Sequence, residues 1–128
     1  MPTRASIEFE DEMREVLPRE ANFVFPPNMV SRIVDIGGIP KSFDFVSSDG
    51  EYIGDAKYYS MRANGGIPHG KLATITEYVW LLEKTTAEYK FIVFGLDIRV
   101  PNYWLNRYGK LTKVAFYFYD EAGLKRLH

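Results

Sequence analysis

Along residues 6–17, SIEFEDEMREVL, the apolar side chains Phe9, Met13 and Val16 recur at intervals of four and three. That spacing predicts one face of a helix, with Ser6 as its N-cap and Pro18 as its stop. After Pro26 and Pro27, residues 31–36 (SRIVDI) read as a short strand ended by Gly37, Gly38 and Pro40. Residues 42–46 and 51–58 flank the polar run SSDG and predict a β-hairpin. SMRANGGIPHG, 60–70, has the composition of a flexible loop. From Lys71 to Lys84, Leu72, Ile75, Val79 and Leu82 give the strongest helical period in the chain. KFIVFGLD, 90–97, is a continuous apolar run, as in a strand covered on both faces, and its place after a helix predicts a parallel crossover. PNYWLNRY, 101–108, predicts a short helix opened by Pro101 and closed by Gly109. KVAFYFY, 113–119, predicts a last strand, and EAGLKRLH a polar tail or short helix.

The succession is helix, three strands, helix, strand, then a further helix and strand. It predicts an α/β fold, a mixed sheet flanked by helices, in one domain over 1–128. Composition narrows the chemistry. There is no cysteine, which excludes disulfides, thiolate zinc sites and a Cys nucleophile, and the two histidines, His69 and His128, are few for a His-based metal site. A metal would have to be held by carboxylates. The net charge of −1 argues against a uniformly basic nucleic-acid binder but leaves room for a local basic patch. No apolar run approaches a membrane span, and MPTRASIEFEDE lacks the apolar stretch of a signal peptide, so a cytoplasmic protein without a membrane partner is expected.

The hairpin carries the chemistry. Within DAK, strand alternation puts Asp55 and Lys57 on one face. A loop centred between Ser48 and Asp49 would place Asp44 opposite Ile53, on that same face, with Asp44 and Asp55 as diagonal neighbours about 5–8 Å apart at Cβ. Two carboxylates at that separation suit a hard divalent cation such as Mg²⁺, with Mn²⁺ as a substitute. A lysine beside them can hold an attacking water and offset charge developing on a phosphate.

Asp44, ten residues, then Asp55-Ala56-Lys57, on a hairpin between two helices, resembles the PD-(D/E)XK nuclease superfamily of restriction enzymes, Holliday-junction resolvases and repair nucleases. The resemblance implies a three-layer α-β-α, restriction-endonuclease-like core and a metal-dependent endonuclease acting on duplex or branched DNA. It makes Asp44, Asp55 and the backbone carbonyl of Ala56 metal ligands and gives Lys57 the attacking water. It also implies a glutamate on the first helix near the metal, Glu10, with Glu12 on the other flank as the substitute. The sequence departs from the pattern at Phe43, where a proline is usual, and at Thr74, four before Tyr78, where a glutamine is usual.

Other readings compete. Glu88-Tyr89-Lys90 repeats the acid-x-Lys pattern but lacks a preceding strand with its own acid. GGIPHGKL, 65–72, satisfies most of the phosphate-cradling P-loop pattern, with Asp97 in the place of a Walker B acid, although Leu72 stands where a hydroxyl is needed. In the nuclease reading, Arg62, His69 and Lys71 would clasp a DNA backbone. A catalytically silent nuclease-like module that binds nucleic acid or protein is the non-enzymatic alternative. The aromatic runs AFYFY and NYWLNRY would fill the core or, in an enzyme that cuts two strands, a homodimer interface.

Overall fold

Thr3 opens the first helix, its hydroxyl accepting from Ser6 N–H at 3.1 Å, so α1 spans Arg4–Val16 and begins two residues before the expected start at Ser6. The computed structural model describes residues 3–128. The remaining elements are β1 (Val30–Ile36), β2 (Ile39–Val46), β3 (Tyr52–Tyr59), α2 (His69–Lys84), β4 (Tyr89–Leu96), α3 (Arg99–Tyr108), β5 (Ala115–Asp120) and β6 (Gly123–Arg126). Together they form a mixed α/β fold whose six strands lie in sequence order, β1 to β6. β3, β4 and β5 run parallel, and β1–β2 and β6 complete the sheet with antiparallel pairings. No helix among the described residues is long and apolar enough to cross a membrane.

The helices cover both faces. Phe9, Met13 and Leu17 pack with Phe45, Phe91 and Val93 on one side. On the other, Ile75, Val79 and Leu82 of α2 and Trp104 of α3 meet Phe43, Ile92, Phe94 and Phe116. The apolar run of β4 is buried from Phe91 to Gly95, because successive side chains feed alternate cores. Gly54 is required by close approach: a Cβ there would collide with the Phe91 ring.

Several expectations change in detail. β1 ends before Gly37 as expected, and Gly37 and Gly38, at φ of 58° and 89°, form a two-residue turn that leads into β2 at Ile39, three residues before the expected start of the next strand. Pro40 therefore lies inside β2, where its missing N–H costs no ladder bond to β3, whose pairing with β2 begins only at Phe45. His69 belongs to the first turn of α2, not to the loop. The C-terminal segment, expected as tail or helix, is strand β6: Gly123, at φ 104°, and Asp120, accepting from Ala122 N–H, turn the chain back along β5. In AFYFY, Phe116, Tyr117 and Phe118 are buried, so that run is core, whereas in NYWLNRY Trp104 alone is buried and Asn102, Asn106, Arg107 and Tyr108 are exposed.

Candidate active site

β2 carries a bulge at Asp44. Val30 pairs with Val46 and Arg32 with Phe43, so Asp44 and Phe45 together oppose Ser31 alone. Phe43 and Phe45, two residues apart, therefore enter opposite cores, where an unbroken strand would send them to one. The bulge re-aims Asp44 between the two strands.

The hairpin loop is centred one residue later than expected, because Ser47 N–H reaches Tyr52 C=O and Asp49 ties Ser47 Oγ and Glu51 N–H. The pairing moves by two, so Val46, not Asp44, opposes Ile53. Asp44 consequently comes alongside Asp55 instead of diagonal to it. There the strands part and carboxylates replace the ladder: Asp44 N–H donates to Asp55 Oδ1 at 3.0 Å, and Ala56 N–H donates to Asp44 Oδ2 at 2.9 Å. Each acid is fixed by the other strand.

Lys57 sits on the same face as Asp55 and is as deeply placed, the two being 8% and 2% exposed. Its Nζ donates to Asp55 Oδ2 at 2.5 Å and lies 3.4 Å from the centre of the Tyr78 ring on α2. Burial pushes against the ammonium, but the Asp55 charge, Tyr59 and the hydrogen bond outweigh it and hold the Lys57 pKa above its ordinary value. Burial and then the Asp55 charge raise Asp44 to about 7. Losing water is thus the main obstacle to ionising Asp44, and the Asp55 charge beside it adds to that obstacle.

α1 brings Glu10 to the same cavity, of about 410 Å³, which Asp44, Asp55, Ala56 and Lys57 also line. Burial and the Asp44 charge raise its pKa, against the opposing effect of Arg14. Glu12, the substitute, is exposed and lines a different cavity, near Tyr119, so the helix turn selects Glu10. Arg14 was not anticipated. It donates to Glu10 Oε1 at 2.7 Å and to the Asp44 carbonyl at 3.2 Å, fastening helix to bulge. The signal was available, since Glu10 and Arg14 are four apart on a helix. Tyr78 likewise follows Lys71 by seven, on one helix face.

The three proposed phosphate contacts separate. Lys71 lines the carboxylate cavity and stands 5.4 Å over the Tyr59 ring. His69 lines another cavity with Thr76, Tyr103 and Arg107, and Arg62 is exposed in a turn closed by Gly65 N–H. Of the three, Lys71 alone lines the carboxylate cavity. Lys41, unanticipated, stands 4.6 Å from the centre of the Tyr78 ring and 3.9 Å from Glu77 Oε1. The P-loop elements are likewise committed elsewhere: Gly65 lies in that turn, Gly70 and Lys71 are already helical, and Asp97 accepts from Met61 N–H and holds Arg99. The Arg99 bond pulls Asp97 down to about 2.

As to a metal, no group of three or more His, Cys, Asp or Glu side chains is gathered as a cage among the described residues. What Asp44 and Asp55 offer is an oxygen-only pair whose mutual repulsion a cation would relieve. That donor set fits Mg²⁺, which binds through one or two carboxylates and completes its shell with water and substrate phosphate. No family model, curated protein or solved structure matches the chain.

Proposed function

We propose that the protein is a metal-dependent endonuclease of the PD-(D/E)XK type, hydrolysing phosphodiester bonds, with DNA as the favoured substrate and Mg²⁺ as the cofactor. The observation that carries this reading is the reciprocal Asp44–Asp55 arrangement at the bulge with Lys57 buried on the same face. The order α1, β1–β3, α2, β4 supports a restriction-endonuclease-like core in the same sense.

Asp44 and Asp55 would hold the cation, with the Ala56 carbonyl beside them and Glu10 across the cavity. The cation, when bound, supplies positive charge for the phosphate oxygens. Lys57 acts as a donor only, because its raised pKa keeps it protonated at neutral pH. It orients the attacking water by hydrogen bonding and offsets charge as it builds on phosphorus-bound oxygen. Tyr78 and Asp55 fix the ammonium from two sides, so its aim is set before substrate arrives. Lys71 stands at the cavity wall as the phosphate contact, and a homodimer would present two such sites to a duplex.

The second reading is a nuclease-like module that binds nucleic acid without cutting it, which the same α/β fold would serve. Manganese calorimetry together with cleavage of plasmid, branched and single-stranded DNA separates the two. The nuclease reading predicts ion binding and cleavage by the parent, and loss of cleavage in Asp55→Ala and Lys57→Ala. Neither binding nor cleavage by the parent would leave the silent module.

A further inference from the structure

A second cavity, of about 550 Å³, opens where β3 and β4 begin, and it shares no residue with the carboxylate cavity. Its size falls within the range of small-ligand sites. Its floor is aromatic: Phe25 meets the Tyr117 ring edge-on at 5.4 Å between centroids. Its wall is the cross-strand pair Tyr52–Tyr89, stacked at 4.4 Å and 20°. Cross-strand tyrosines commonly stack to stabilise a sheet. Here the outer member, Tyr89, remains 49% exposed, so one ring face is open to a further planar group.

The rim supplies charge. Lys113 and Arg126 are both exposed there, and Arg126 lies 5.8 Å over the Tyr117 ring with its Nε spent on the His128 carbonyl. The opposing acid is Glu88, and Lys90 is occupied with the carbonyls of Glu83 and Thr85. Two cations therefore face one carboxylate beside an open aromatic face. A planar ring that carries an anion matches that pairing.

We propose that this cavity binds a nucleotide unit, its base stacked on Tyr89 and its phosphate between Lys113 and Arg126. A free nucleoside monophosphate and a nucleotide within a single strand present the same chemistry. The site stands independently of the nuclease reading.

The test uses Asp55→Asn protein without divalent ions, so that cleavage plays no part. Adenosine 5′-monophosphate, adenosine and a short deoxyadenosine strand are titrated in by calorimetry, with amide shifts followed by NMR. Binding of the monophosphate or the strand is expected, with shifts at 113–117. Adenosine should bind about tenfold more weakly for want of the phosphate. Tyr89→Ala should cost about tenfold, and Lys113→Ala with Arg126→Ala should weaken binding and flatten its salt dependence. Tighter binding of the strand assigns the site to single strands, and equal binding assigns it to free nucleotide. No binding of either, binding indifferent to these variants, or shifts confined to Asp44 and residues 55–59 would overturn the proposal.

Discussion

Asp55-Ala56-Lys57 and Glu88-Tyr89-Lys90 have the same acid-x-Lys pattern, and their strands are hydrogen-bonded neighbours, with Tyr52 paired to Tyr89. Their surroundings differ. In the first, acid and lysine are buried and joined, with a second acid delivered by the bulge. In the second, Glu88 is exposed, and the lysine turns away to backbone carbonyls at the end of α2. The tripeptide is thus no more than a spacing. What makes it a candidate for chemistry is desolvation together with a neighbour that cannot ionise freely beside it.

The comparison breaks most sharply at the lysines. Lys57→Ala leaves Asp55 buried without its cation and should cost about 3–5 kcal/mol in urea unfolding, besides cleavage. Lys90→Ala should cost about 1 kcal/mol or less, since its ammonium is partly solvated. Similar losses in both would show that burial does not distinguish the two.

Asp44→Asn comes next and has the opposite sign. Asp44 titrates near 7 in the folded protein, against about 4 when unfolded. The folded state therefore retains a proton that the unfolded chain has released. Its contribution is complete below about pH 4 and lost as the pH rises through 7, by about 2–4 kcal/mol in metal-free protein. The asparagine variant should be the more stable protein at pH 8 and should lose divalent-ion binding. Thermal melts at pH 5 and 8, with and without Mg²⁺, read this directly, and a pH-independent difference would contradict the raised Asp44 pKa that burial and the Asp55 charge impose.

Glu10→Gln should be milder, lowering cleavage about tenfold with little change in stability, because the amide keeps the contact with Arg14 while removing the charge. Glu88→Gln should change neither quantity measurably. A Glu10 variant as inert as the Glu88 variant would confine the site to the hairpin.

Much of this arrangement could be read from the chain because it is local. The periods of α1 and α2, the buried run of β4 and the one-face placement of Asp55 and Lys57 all follow from side-chain spacing. What escaped depends on single backbone events. The bulge at Asp44 leaves no mark in apolar alternation, since Phe43 and Phe45 look like one face and serve two. The hairpin register was missed by two because Asp49 captured Ser47 and Glu51, a turn that composition alone does not locate. β6 was missed because GLKR is four residues long and only Leu124 is buried. His69 and Lys71 part because α2 already begins at His69, so residues two apart leave different sides of the helix, while Arg62 is held in the turn closed by Gly65 N–H.

The most direct measurement is cleavage of one DNA substrate in Mg²⁺ by the parent, Asp55→Asn and Glu88→Gln proteins, each first shown to be folded. The account predicts that the parent and Glu88→Gln cut at the same rate and that Asp55→Asn does not cut. Equal cutting by all three would contradict it, as would a parent that neither cuts nor binds the ion.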